Sequence, residues 1–271
     1  MGVSVCETPH ACFDCGVLAP ERHRAILRLL AEQGRLTLAE IRSHFGVSEA
    51  TARRDASELG AAGLARRTHG GLLPPDFALS EPAFSRKAEK AAGMKARLGR
   101  AVAELLPEDG TIFIDAGSTC LEVARPLLER PKLRIVTNSI PLLVLATEAR
   151  ATISAIGGEV RKVSHALTGA FAQSWLEHLR FDAAVIGASG IDVEAGASTT
   201  EIAEAGVKVE AMRRARLRIL VADAGKWGRP AAFRFSSWNA FHHVVTDRIL
   251  TRPERALLSA AGVRVHQISK S

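Results

Sequence analysis

The sequence predicts an α/β protein that carries a small helical head at its N-terminal end. Three observations lead there. Short, continuously apolar runs alternate with helical segments from Thr111 onward, as strands covered on both faces do. The first seventy residues instead show helical spacing, interrupted by a tight Gly-Val-Ser connection. A proline-bearing stretch without periodicity separates the two regions.

The head is read over residues 20–71, after a tail of residues 1–19. Its first helix begins at Pro20 and stops at Gly34, with Ile26, Leu27, Leu29 and Leu30 on its apolar face. In the second, Thr37 and Glu40 have capping-box spacing, and Leu38, Ile41 and Phe45 face inward. Ser48 caps the third, with Glu49 in its first turn. At about 100° per residue, Ala52, Ala56 and Leu59 share one side. Ala50, Arg54, Ser57 and Ala61 lie opposite, with Thr51 and Arg53 on the flanks. Small outward residues around a basic group suit a helix that approaches a nucleic-acid groove closely. Asp55 falls toward the buried edge, where it is expected to partner an arginine. The following "LARRTHGG" reads as an extended pair, the wing of a winged helix. Its Arg66, Arg67 and His69 are placed to meet phosphate or minor groove.

Charge permits this reading without requiring it. The chain has 271 residues, a formal charge of +7, nine arginines between Glu21 and Gly71, and no lysine there. Aromatic residues make up 5%, with no tyrosine, which disfavours a base-stacking platform. No apolar run reaches membrane-spanning length, so a cytoplasmic protein without membrane association is expected. Cys6, His10, Cys12 and Cys15 include one pair with zinc-site spacing but lack a second pair. They are read as tail, and no metal or cofactor is expected.

Residues 72–86, with Pro74, Pro75 and Pro82, read as a stiff linker. One helix is predicted from Lys87 to near Leu106, within a body spanning 87–271. Strands are predicted in "TIFIDAG", "LRIVTNS", "ATISAIGG", "AAVIGASG", "LRILVADAG" and "HHVVTDRI", and helices over 119–128, 140–148, 168–179 and 200–215. The result is a mainly parallel sheet whose ligands sit beyond the carboxyl ends of the strands. Residues with suitable chemistry recur at those ends. Asp115, Gly117, Ser118 and Thr119 mark a strand-to-helix turn with backbone N–H groups and hydroxyls for a phosphate. Thr137, Asn138 and Ser139 follow the next strand, and Gly157 and Gly158 allow close backbone approach. Lys208 and Lys226 offer cations, while Asp115 and Glu204 offer carboxylates to sugar hydroxyls. Neither a dinucleotide fingerprint nor a Walker-type phosphate loop occurs.

The head motif, read here as Ser48, Thr51, Ala52, Arg53, Arg54, Asp55 and Ala56, resembles that of the DeoR family of bacterial transcriptional regulators. The closing His69, Gly70 and Gly71 match as well. The resemblance continues through Asp115–Thr119, Thr137–Ser139, Gly157–Gly158, the run 186–191, Glu204 to Lys208 and Asp223 to Lys226. It implies a second helix of the pair in the major groove, with Ser48, Thr51, Arg53 and Arg54 as contacts. It also implies a body related to ribose-5-phosphate isomerase and glucosamine-6-phosphate deaminase folds, binding a phosphorylated sugar or related metabolite. Repression of a carbohydrate operon, operator DNA as partner, no catalysis and a dimeric or tetrameric assembly follow from the same likeness. The rival reading is a sugar-phosphate isomerase or deaminase with an accessory head. Four departures stand out: Ala52 and Ala56 replace larger residues on the inner face, and Ala116 and Ala224 replace serines. Either larger neighbours fill the head or it packs loosely.

Overall fold

The computed structural model describes residues 18–33, 36–68, 70–73 and 83–269. The chain divides into two compact units, Met1–Ser80 and Glu81–Ser271.

In the first unit, α1 (Ala19–Gln33) leads to a short strand β1 (Leu36–Thr37). Then come α2 (Leu38–Phe45) and α3 (Glu49–Ala61), followed by β2 (Arg66–Thr68) and β3 (Gly71–Leu73). The strands form an antiparallel sheet in the order β1-β3-β2, which makes this a winged helix-turn-helix. The local chemistry explains the breaks. Thr37 and Glu40 form a complete capping box, and Gly46 ends α2 at φ 62°, where a side chain would be strained. Ser48 Oγ accepts from Thr51 N to start α3. Ala52, Ala56 and Leu59 are buried with Ile26, Leu30, Leu36, Ile41 and Leu72. Large residues on the facing elements thus close over the two alanines. Leu72, read above as linker, belongs to this core because β3 is the central strand.

The second unit begins earlier than predicted. Phe84–Glu89 form α4, with Phe84 buried, and α5 runs over Ala92–Ala103. The single helix expected here is broken at Ala91, whose φ of 57° is left-handed. Next come β4 (Gly110–Ile114), α6 (Ser118–Leu127), β5 (Leu133–Thr137), α7 (Ile140–Val144) and β6 (Thr152–Ala155). A hairpin of β7 (Glu159–Arg161) and β8 (Ala166–Thr168) precedes α8 (Ala170–Glu177) and β9 (Phe181–Gly187). After β10 (Gly190–Asp192) and β11 (Gly196–Thr199) come α9 (Ile202–Arg213) and β12 (Ala215–Val221). The chain closes with β13 (Phe233–Ser236), β14 (His243–Thr246), α10 (Arg252–Ala260) and β15 (Arg264–Gln267).

Seven strands form one sheet in the order β15-β14-β12-β9-β4-β5-β6, and every pairing in it is parallel. Its two faces bury separate apolar clusters. Along β9, Ala183 and Val185 join one cluster while Ala184 and Ile186 join the other, as a period of two requires. Strands buried on both faces explain the unbroken apolar runs. The antiparallel parts are the β10-β11-β13 sheet and the β7-β8 hairpin. The chain runs outward from β4 toward β6, then returns to β9 on the other side of β4. That reversal opens a crevice between the carboxyl ends of β4 and β9.

Candidate functional site

Two sites emerge, one in each unit. In the head, α3 presents Arg54 with 81% of its side chain exposed, whereas Asp55 is buried. Asp55 accepts from Arg22 Nε at 2.6 Å and Nη2 at 3.0 Å, and contacts His23 Nε2 at 3.0 Å. Burial pushes this carboxyl upward, but the hydrogen bonds from Arg22 and His23 outweigh it and hold it below the usual range. The pairing fixes α1 to α3 and so sets the helix's rotation. Arg53 is bound to Glu49 at 2.7 Å, and Arg54 lies 3.6 Å from Glu58. Such exposed pairs contribute roughly 0.3–0.5 kcal/mol, so they yield readily to phosphate. Ser48 and Thr51 sit at the start of the helix, their hydroxyls 2.9 Å apart. Arg67 is exposed on β2, and Arg66 pairs through its backbone with Leu73. His69 lies outside the described residues, as do Cys6, His10, Cys12 and Cys15.

In the body, a small polar cleft lies at the chain reversal. Asp115 follows β4. Its Oδ2 accepts from Gly187 N at 3.0 Å and from Lys208 Nζ. Its Oδ1 is buried and has no hydrogen-bond partner among the described residues. Lys208, from α9, also donates to Gly187 O at 3.2 Å. Burial lowers the Lys208 ammonium's affinity for its proton, but the Asp115 and Glu204 carboxylates reverse this and raise it. Burial raises Asp115 in turn, against the pull of Lys208. Glu204, one turn before Lys208, receives Arg161 at 3.2 Å and Thr199 Oγ1 at 3.0 Å. Gly117, at φ 134°, turns the chain into α6, which begins with Ser118 and Thr119 at the cleft. Asn138 Oδ1 accepts from Ala116 N at 2.7 Å, which fixes that turn. Lys226 lines the same cleft.

The structure therefore gathers Asp115, Gly117, Ser118, Thr119, Asn138, Glu204, Lys208 and Lys226 around one space. Four residues predicted there stand elsewhere. Thr137 Oγ1 donates to Ile114 O at 2.6 Å and accepts from Ser139 N, tying two strand ends together. Ser139 caps α7. Gly157 borders a separate groove beside Phe171 and Trp175. At Gly158 an added Cβ would stand 2.4 Å from Thr168 O, so its role is the close approach that seats the hairpin. Other lining residues escaped the sequence reading, and two polar ones among them matter here. Lys87 comes from α4, and Ser164 from the tip of the β7-β8 hairpin. Neither lies at the end of a main-sheet strand, where a parallel sheet gathers its ligand-binding residues.

A cleft that pairs cations with a helix N-terminus suits an anionic, hydroxylated ligand. The buried Cys120 nearby is inert, because burial pushes its thiol far up. Among the described residues no helix is long and apolar enough to cross a membrane.

Comparison with known proteins agrees with both halves. A DeoR-like helix-turn-helix domain matches residues 22–76, and a DeoR C-terminal sensor domain matches residues 90–248. The HTH-type transcriptional regulator GlpR of Haloferax volcanii is 34% identical over 250 residues, which is 92% of this chain and 98% of that protein. The glycerol-3-phosphate regulon repressor of Escherichia coli is 34% identical, covering 84% of this chain and 90% of its own. The transcriptional repressor AccR of Agrobacterium fabrum is 32% identical, over 76% and 81% respectively. Among solved structures, ribose 5-phosphate isomerase A of Methanocaldococcus jannaschii aligns with a TM-score of 0.38 and 14% identity, covering 51% of this chain and 55% of its own. The three sequence relatives, which match most of the chain, are named as transcriptional regulators or repressors. The chain belongs to the DeoR family of helix-turn-helix transcriptional regulators, with an N-terminal DNA-binding domain and a C-terminal sensor domain.

Proposed function

We propose that this regulator represses a carbohydrate-use operon and releases its operator when a phosphorylated sugar or polyol occupies the cleft. The observation that carries this reading is Asp115. One of its oxygens is held by Lys208 and Gly187, while the other is buried without a partner among the described residues, in a residue lining the cleft that Lys226 and the start of α6 also line. A ligand hydroxyl would satisfy the carboxylate, and the cations and α6 N–H groups would take the phosphate. Glycerol 3-phosphate, the compound in the name of the Escherichia coli relative, is the first to try.

On the DNA side, Ser48, Thr51, Arg53 and Arg54 enter the major groove, and Arg66, Arg67 and His69 reach the flanking backbone. Two copies of the chain place two such helices on half-sites roughly 34–36 Å apart, one turn of duplex. The protein acts in the cytoplasm, where its operator is.

The test is a thermal-shift screen of glycerol 3-phosphate, pentose phosphates and hexose phosphates, followed by gel shifts on DNA selected from a random pool. A stabilising compound that also lowers operator affinity is expected, since a native-state ligand raises apparent stability. A protein that selects no preferred DNA sequence would defeat the proposal.

A further inference from the structure

We propose that Lys87 and Ser164 are effector contacts, and that they make α4 the element through which cleft occupancy reaches the head. This rests on the phosphate-binding reading above. Ser164 is 4% exposed, lines the cleft, and its Oγ has no hydrogen-bond partner among the described residues. A buried hydroxyl without a partner is costly and calls for an explanation. A phosphate or sugar oxygen in the cleft supplies one.

The hairpin tip that carries Ser164 is bound to α4. Phe84 N donates to Val163 O at 2.9 Å. The His165 ring stacks on Phe84 with centroids 5.2 Å apart and planes 24° apart. His165 holds a left-handed φ of 51°, sparsely populated for a residue with a side chain. The tip is thus kept in a costly conformation that presents Ser164 inward and His165 to Phe84. Lys87, one turn along α4, reaches the same cleft, and its carbonyl accepts from the buried Lys95. One short helix therefore touches the ligand directly through Lys87 and indirectly through the hairpin. In chain order, α4 is also the first described element after the segment 74–82 that follows the wing. A ligand that draws Lys87 and Ser164 together shifts α4, and α4 is covalently continuous with that segment.

The test uses the full chain, with glycerol 3-phosphate and inorganic phosphate as probes and an operator fragment selected from random DNA. Ser164→Ala should weaken binding of glycerol 3-phosphate roughly 5- to 10-fold, and Lys87→Gln tenfold or more. Phe84→Leu and His165→Asn lie behind the cleft. They should bind both probes within about threefold of the unaltered chain but lose most of the probe's effect on operator affinity. Asparagine tolerates the left-handed conformation, so His165→Asn decides the matter if Phe84→Leu folds poorly. Two results overturn the proposal: unchanged probe binding in Ser164→Ala and Lys87→Gln, or undiminished coupling in His165→Asn. An unaltered chain that binds neither probe would fail the phosphate reading itself, and this proposal with it.

Discussion

In the head, Asp55 accepts from Arg22 and His23 and is held below its ordinary value of 3.8. A carboxyl lowered by folding contributes stability that is present above its unfolded pKa and is lost as pH falls through the folded one. Asp55→Asn should therefore flatten the acid side of the head's unfolding profile below about pH 4, as read by hydrogen exchange of α1 and α3. Asp55→Ala goes further, because it strips Arg22 and His23 of their acceptor. A loss of about 3 kcal/mol is expected by chemical denaturation, the low end for a broken buried pair. Lys208 has the opposite sign. Its raised pKa gives stability that is present below its ordinary value of 10.5 and disappears in stronger alkali. Arg54, the more exposed of the α3 pair, is proposed as a recognition group and not a support. Arg54→Ala should cost about 1–3 kcal/mol of specific operator binding in a gel shift and leave the melting temperature near its starting value. An unchanged operator affinity would assign the wrong face of α3 to DNA.

At the scale of elements, α5 and α6 pack through Gly99, where an added Cβ would stand 2.4 Å from Glu122 O. Gly99→Ala must push the helices apart and displace the start of α6 from the cleft. A destabilisation of about 1–3 kcal/mol, together with weaker effector binding, is expected from calorimetry. The sequence made some elements plain and hid others for physical reasons. The strands β4, β5, β9, β12 and β14 were legible because both faces are covered over much of their length, and the half-exposed edge strand β6 because Ile153 and Ile156 still mark it as an apolar run. The final strand β15, with the sequence RVHQ, lies at the sheet edge, half exposed, and shows no apolar run. The β7-β8 hairpin has three residues per strand, too few for a period to show. That is why Ser164 went unread, and Lys87 was hidden because α4 starts inside a stretch that looks like linker. Asp115, Ser118, Asn138 and Lys208 were legible because a parallel sheet places strand-end and crossover-helix residues at one rim. The same argument misplaced Thr137 and Ser139, whose hydroxyls satisfy the backbone instead of facing the cleft.

For the molecule as a whole, regulation is a coupling free energy between an operator site and an effector site. Such coupling is reciprocal. If glycerol 3-phosphate weakens operator binding by some factor, saturating operator DNA must weaken glycerol 3-phosphate binding by that factor, which paired calorimetric titrations would check. Unequal factors would mean that a further species, such as a change in assembly, enters the cycle. The parallel sheet also bears on how the protein comes into being. The head closes through contacts among residues near in sequence. By contrast β4 must wait for β9, and Asp115 meets Lys208 only across 93 positions. Long-range parallel pairing is slow to form. On a ribosome delivering the N-terminal end first, the reading helix is complete before the sensor has a cleft. Each new chain thus passes through a stage in which it can recognise DNA but cannot yet respond to a metabolite.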